Sequence, residues 1–255
     1  MKVVLFQTNL VWENPKSNRT FIEEYFMSED DEFDLFVLPE MFTTGFTMNP
    51  ENVAETMQGE TIYWMKSLAL KQNCAVCGSL VVSENNRFYN RFIFVHPNGE
   101  IDFYNKKHLF SLAGEHQKYS KGTKKVIIDY KGWKICPQVC YDLRFPAFSR
   151  NHENYDLLLY VANWPKPRTN AWDILLKARA VENLCYVVGV NRIGFDENNH
   201  EYIGHSQVID ELGNQILDAE ENLGVFIIEL DKNKMLETRN KLNFLNDKDV
   251  FEIKM

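Results

Sequence analysis

The segment "KICPQVCYDLRFP", Lys134–Pro146, decides how this chain is organised. Its first half is apolar and β-rich and reads as a strand from Lys134 to Cys140. A Tyr-Asp-Leu-Arg-Phe-Pro run follows at once, so the strand must stop at Cys140 and turn sharply. Two cysteines flank Pro137. On a strand, Cys136 and Cys140 would share a face, so position separates them. Cys136 lies in the strand body and is expected to be packed and inert. Cys140 lies at the exit, where a strand-to-turn transition exposes a reacting atom.

Similar strands recur on both sides of this segment. They are Val3–Thr8, Asp34–Glu40, Cys74–Val82, Arg91–His96, Glu100–Tyr104 and Lys125–Tyr130 before it, then Asp156–Asn163, Cys185–Asn191, Ser206–Asp210 and Gly224–Leu230 after it. Several are apolar on both faces, as in sheets covered on both sides. Helical spacing appears over Pro15–Tyr25, over Glu60–Asn73 (Ile62, Met65, Leu68, Ala69) and over Asn170–Asn183 (Trp172, Leu175, Leu176, Arg179, Ala180). A further helix is expected after Asp231, a suitable N-cap. Turn residues at Pro97-Asn98-Gly99, Lys131-Gly132 and Leu212-Gly213-Asn214 predict hairpins. Antiparallel pairs are therefore mixed with β-α-β units, and two sheets with helices outside fit better than a closed parallel barrel. No Pro/Gly/Ser-rich linker interrupts the chain, so residues 1–255 are expected to form one domain.

Composition narrows the function. The 255 residues are 45% apolar, enough for a large core, and carry a net charge of −8, which disfavours nucleic acid as a partner. No apolar run approaches a membrane span and the start has no signal-peptide pattern, so a cytoplasmic protein without membrane attachment is expected. The five cysteines have no framework spacing and are expected to be free thiols. Cys74 and Cys77 have C-x-x-C spacing, but on a strand their sulfurs point to opposite faces, and no second pair completes a zinc site.

Chemistry in open α/β sheets gathers at the carboxyl ends of strands. Those ends here deliver Glu40, the pair Lys106 and Lys107, Cys140, and Asn163 with Trp164. A thiol needs deprotonation to become a nucleophile. A shielded carboxylate can take that proton and return it to a leaving amine. A lysine ammonium and the backbone N–H after the nucleophile can hold the oxyanion. The apolar "MFTTGF" after Glu40 is suited to shielding it. No Cys-His pair is evident, and His108 is expected to be a structural hydrogen-bonder.

The segments "LPEMFTTGF", "YNKKHLF" and "CYDLRFP", in this order, resemble the three signature segments of the nitrilase superfamily of carbon–nitrogen hydrolases. With "GEHQKYSKG", "YVANWPKPR" and "ARAVEN" they look most like its bacterial omega-amidase branch, and the likeness spans essentially the whole chain. The resemblance implies a four-layer αββα sandwich, no metal or organic cofactor, and at least a homodimer. It also implies Glu40 as general base and acid, Lys106 (two before the histidine) rather than Lys107 as the lysine, Cys140 as nucleophile, and Glu115 as a second glutamate that positions substrate and lysine. The implied reaction is amide hydrolysis through a cysteine thioester, with the oxyanion held by Lys106 and the Tyr141 N–H.

The implied substrate is a small 2-oxo dicarboxylic acid monoamide such as 2-oxoglutaramate or 2-oxosuccinamate. Its far carboxylate calls for a cation in the pocket. Arg144 is the first candidate, because a guanidinium pairs with a carboxylate in bidentate fashion, and Arg192 is the second. The alternative for either is an internal ion pair with Asp142 or Glu182. Phe42, Tyr141 and Trp164 are expected to wall the pocket, whereas Trp172, on a helical stripe, is expected in the core. Two rival functions are an amidase acting on an N-carbamoyl amino acid or a deaminated peptide, and a non-catalytic interaction module, which would have lost part of the catalytic set.

Overall fold

A computed structural model describes residues 1–28 and 32–253. Its strands, in chain order, are β1 (Lys2–Gln7), β2 (Leu35–Val37), β3 (Ala75–Glu84), β4 (Arg87–Val95), β5 (Ile101–Asn105), β6 (Ile128–Tyr130), β7 (Trp133–Val139), β8 (Leu157–Ala162), β9 (Tyr186–Asn191), β10 (Ile193–Phe195), β11 (Glu201–Ile203), β12 (Gln207–Ile209), β13 (Gln215–Asp218) and β14 (Gly224–Glu229). One six-stranded sheet runs β14-β1-β2-β3-β4-β5, and a second runs β13-β12-β9-β8-β7-β6. Both are mixed. β1, β2 and β3 are parallel, as are β7, β8 and β9, while the outer strands pair antiparallel. The Lys131-Gly132 turn joins β6 to β7 with positive φ at both residues, 46° and 76°, as the tight hairpin turn requires.

Side-chain alternation stacks the layers. Val3 and Leu5 of β1 face the second sheet, in a core shared with Leu157, Leu159 and Val161 of β8. Val4 and Phe6 point the other way, onto Ile22 and Phe26 of helix Pro15–Ser28 and Met65 and Leu68 of helix Glu60–Gln72. On the far side, Leu158 and Tyr160 meet Trp172, Leu176 and Ala180 of helix Thr169–Asn183. The result is the αββα sandwich. Cys77 lies between the sheets and Cys74 in the outer helix layer, so these two sulfurs do point apart.

Several element boundaries differ from the sequence expectation. The first helix continues to Ser28. β2 ends at Val37, because Pro39 has no N–H with which to continue the ladder. β4 begins at Arg87, four residues before the predicted start, and so contains Asn90. The three-residue strands β10 and β11 form a separate hairpin and are too short for periodicity to show. Among the described residues no helix is long and apolar enough to cross a membrane.

Candidate active site

The exits of β2, β5, β7 and β8 converge at one end of the sandwich. After β2, Leu38 N–H donates to the Cys77 carbonyl (2.8 Å), and Met41, with φ of 44°, donates its N–H to Ser79 Oγ (2.8 Å). This hook turns Glu40 inward, where it is fully buried. After β7, Cys140 itself adopts φ of 46° and opens a 3-10 turn over Cys140–Arg144. A non-glycine residue there is strained by about 1–3 kcal/mol and persists only when its surroundings over-determine it. Asp142 supplies that constraint. It accepts from Val139 N–H (3.0 Å), Tyr104 Oη (2.8 Å) and His108 N–H (2.9 Å), with His108 Nδ1 at 2.7 Å. Asp142 is therefore paired with His108, not with an arginine. The turn also breaks the expected sharing of a face: Cys136 stays in the helix-side core, while Cys140 touches both that core and the inter-sheet one.

Lys106, Glu40 and Glu115 form one buried cluster. Lys106 Nζ donates to Glu40 Oε1 (2.9 Å) and to both oxygens of Glu115 (3.0 Å each). Asn90, on β4, donates through Nδ2 to Glu40 Oε1 (2.7 Å) and Glu115 Oε1 (3.2 Å), while its Oδ1 accepts from Ser79 Oγ (2.8 Å). Asn163, past β8, donates its N–H to Glu40 Oε2 (2.8 Å) and its Nδ2 to the Glu40 carbonyl (2.6 Å). Its own carbonyl lies 3.9 Å from Cys140 Sγ. Sequence reasoning missed Asn90 and gave Asn163 no role.

The charges decide the resting protonation. Burial works against the Lys106 ammonium, but the Glu115 and Glu40 carboxylates outweigh it and raise its pKa, so it stays charged. Burial pushes Glu115 up, opposed by Lys106 and reinforced by Glu40. Burial, then the Glu40 charge and a hydrogen bond to that carboxylate, push the Cys140 thiol well above its ordinary value, against the pull of Lys106. At neutral pH the sulfur therefore rests as a thiol beside the Glu40 carboxylate. Cys140 is only partly enclosed, whereas the other four cysteines are buried.

Above the sulfur opens a cavity of about 500 Å³, whose walls include Phe46, Phe110, Tyr141, Arg144, Trp164 and Arg168. Tyr141 and Trp164 line it as expected from sequence. Phe42 does not: it packs on Trp64 and above Gly78 in the outer core, and Phe46 takes the cavity position, its ring 5.1 Å from Lys106 Nζ. Arg192 is also outside the lining. It is fully buried, donates to Asn9 Oδ1 (2.9 Å) and to the Leu10 and Phe195 carbonyls (3.2 and 3.0 Å), and stacks over Tyr202 behind the wall. Arg144 lines the cavity with its guanidinium 5.0 Å from the Trp164 ring. The Tyr141 N–H, second in the 3-10 turn, precedes the first donor that the turn can satisfy. Trp172 is core, its Nε1 donating to the His205 carbonyl (2.8 Å). Among the described residues, no group of three or more His, Cys, Asp or Glu side chains converges as a metal ion requires.

A buried acid, an ammonium and a thiol at the strand exits of an αββα sandwich make up equipment for acyl transfer through sulfur. The chain belongs to the carbon-nitrogen hydrolase family, whose model matches residues 2–240. It is 41% identical to the omega-amidase YafV of Yersinia enterocolitica, over 98% of each chain. It is 32% identical to the 2-oxoglutaramate amidase of Bacillus subtilis, over 94% of this chain and 95% of that one. The crystal structure of XC1258 from Xanthomonas campestris, a CN-hydrolase superfamily protein with an arsenic adduct in its active site, superposes with a TM-score of 0.97 at 37% identity, covering 100% of this chain and 99% of the other.

Proposed function

We propose that this chain is an omega-amidase, hydrolysing the terminal amide of a small 2-oxo dicarboxylic acid monoamide to the diacid and ammonia. The observation that carries the proposal is the buried Glu40–Lys106–Glu115 cluster set against Cys140 beneath a cavity with a cation on its wall. Glu40 takes the thiol proton as sulfur attacks the amide carbonyl. Lys106 Nζ and the Tyr141 N–H hold the oxyanion, a task worth about 3–4 kcal/mol per donor in related chemistry. Glu40 returns the proton to nitrogen and ammonia leaves. Glu40 then takes a proton from water, which adds to the thioester, and collapse releases the acid and restores the thiol. Glu115 contacts Lys106 rather than the sulfur, so its part is to position the lysine and keep it charged. Arg144 pairs with the far carboxylate of the substrate.

An intact buried cluster disfavours a non-catalytic module, which has no reason to keep two carboxylates and an ammonium out of water. The test is ammonia release from 2-oxoglutaramate, 2-oxosuccinamate, glutamine and a carbamoyl amino acid. Preference for the 2-oxo acids supports the proposal, and carbon dioxide with ammonia from the carbamoyl compound favours the rival amidase. We also propose at least a homodimer. Exposed Ile174 and Val181 on helix Thr169–Asn183 are suited to such a contact, and light scattering on the purified protein tests it.

A further inference from the structure

Arg168 was not singled out by sequence reasoning, yet it lines the cavity together with Arg144. Its guanidinium lies 5.1 Å from the Phe110 ring. Phe110 in turn meets Tyr141 edge-on at 5.0 Å, beside the nucleophile. On the other side, Trp164 joins the two arginines. Its ring carries the Arg144 guanidinium, and its Nε1 donates to the Arg168 carbonyl at 2.7 Å. Arg144, Trp164, Arg168, Phe110 and Tyr141 thus form a continuous arc around the opening above Cys140.

Neither guanidinium has an acidic partner among the described residues. The nearby acids are committed elsewhere. Asp142 holds His108, and Glu201 holds Lys166. Asp196, across the cavity, accepts from the Asn198 and His200 N–H groups, from Tyr202 Oη and from the His200 ring. Two guanidiniums held on aromatic faces, with their donors unused, in a protein of net charge −8, are placed for an anion from outside. The neighbouring aromatic faces restrict both forks, that of exposed Arg144 and that of half-buried Arg168, which lowers the ordering cost of binding.

We propose that Arg168 is a specificity-determining residue that, with Arg144, clamps the carboxylate end of the substrate and selects anionic over neutral amides. The proposal rests on the omega-amidase reading and assigns a second cation to that site. The backbone anchors of Arg168 run through its carbonyl, bonded to Trp164, and its N–H, which donates to the Pro165 carbonyl (3.0 Å), so a side-chain change spares both.

The test compares wild type, Arg168→Met and Arg168→Lys on 2-oxoglutaramate and on neutral valeramide. Expected for Arg168→Met is a rise in KM for 2-oxoglutaramate of about tenfold or more, the loss of one charge-assisted contact, with kcat and the valeramide kinetics within about twofold of wild type. Arg168→Lys, which keeps the charge, recovers part of the loss. Equal KM changes for both substrates, or none for 2-oxoglutaramate, overturn the clamp while leaving the omega-amidase reading in place. A wild-type enzyme that hydrolyses valeramide but not 2-oxoglutaramate overturns both. If Arg168→Met does not fold, Arg168→Lys and Arg168→Gln supply the same comparison.

Discussion

Replacing Glu115 with glutamine keeps the shape of the side chain, removes its charge and breaks a defined set of hydrogen bonds. Every neighbour of the Glu115 carboxylate is a donor: Lys106 Nζ on both oxygens, Asn90 Nδ2 on Oε1 and Phe110 N–H on Oε2. An amide has one nitrogen, and that nitrogen must take one of the two positions. At the Oε1 position it faces Lys106 and Asn90. At the Oε2 position it faces Lys106 and Phe110. Two donor contacts are lost either way. At about 1.5–3 kcal/mol for a hydrogen bond to a charged group, the loss is about 3–6 kcal/mol, part of it falling on the lysine that holds the oxyanion. If most of it reaches the transition state, kcat/KM falls by about 10² to 10⁴-fold. The pH effect has a definite sign. Glu115 is the largest favourable influence raising the Lys106 pKa, so without it the ammonium is lost at lower pH, and the alkaline limb of the activity profile moves down. The assay is ammonia release from 2-oxoglutaramate between about pH 6 and 11, with circular dichroism to confirm folding. A folded Glu115→Gln protein within about fivefold of wild type, with an unmoved alkaline limb, refutes the positioning role.

Three further outcomes are expected. Asn90→Ala removes two donor contacts to carboxylates, one to Glu40 and one to Glu115, and on the same scale of about 3–6 kcal/mol should lower kcat/KM by about 10² to 10⁴-fold, whereas Asn90→Asp adds a third carboxylate and should be worse; steady-state kinetics decide. Lys106→Met leaves two buried carboxylates uncompensated, a loss of about 3–5 kcal/mol of stability. Burial already raises Glu115, so in this variant protonation favours the folded state, and Tm should rise as the pH is lowered from about 8 to 5; a flat or falling Tm contradicts the buried-pair account. Iodoacetamide should label Cys140 in the native protein and spare the four buried cysteines, at a rate that climbs with pH because the thiol pKa is raised; peptide mapping reads both.

The frame of the site was legible in the sequence because the residues at strand exits are adjacent to their own strands. Glu40, the pair Lys106 and Lys107, and Cys140 follow apolar runs whose ends can be read locally, the family resemblance picks Lys106 from the pair, and Glu40, Lys106 and Cys140 do converge in space. Cys74 and Cys77 were separable by alternation alone. What stayed hidden depends on partners far along the chain. Asn90 sits 50 residues from Glu40 and 25 from Glu115, inside a strand whose apolar run begins only after it. Arg144 ranks ahead of Arg192 only by its place four residues after Cys140; nothing local in sequence shows that Arg192 is buried. Arg192 is spent on Asn9 and backbone carbonyls, partners that include residues more than 180 positions away in sequence, and only Arg144 reaches the cavity. Phe42 and Phe46 differ in the same way, since the hook at Met41 sends one to the outer core and leaves the other beside Lys106. Arg168 gave no local signal, because its stacking on Phe110 brings together parts of the chain with the whole Cys140 segment between them.

The central claim is that carbon–nitrogen cleavage passes through a thioester on Cys140. Acid quenching within milliseconds of mixing with 2-oxoglutaramate, followed by peptide mass spectrometry, tests it most directly. The predicted result is an acyl mass, that of the substrate less ammonia, on the peptide holding Cys140. It should be removed by hydroxylamine and absent from Cys140→Ala, which should release no ammonia, while Cys136→Ala acylates and turns over nearly as wild type does. Ammonia release by Cys140→Ala, or an acyl group found on Cys136, would contradict it.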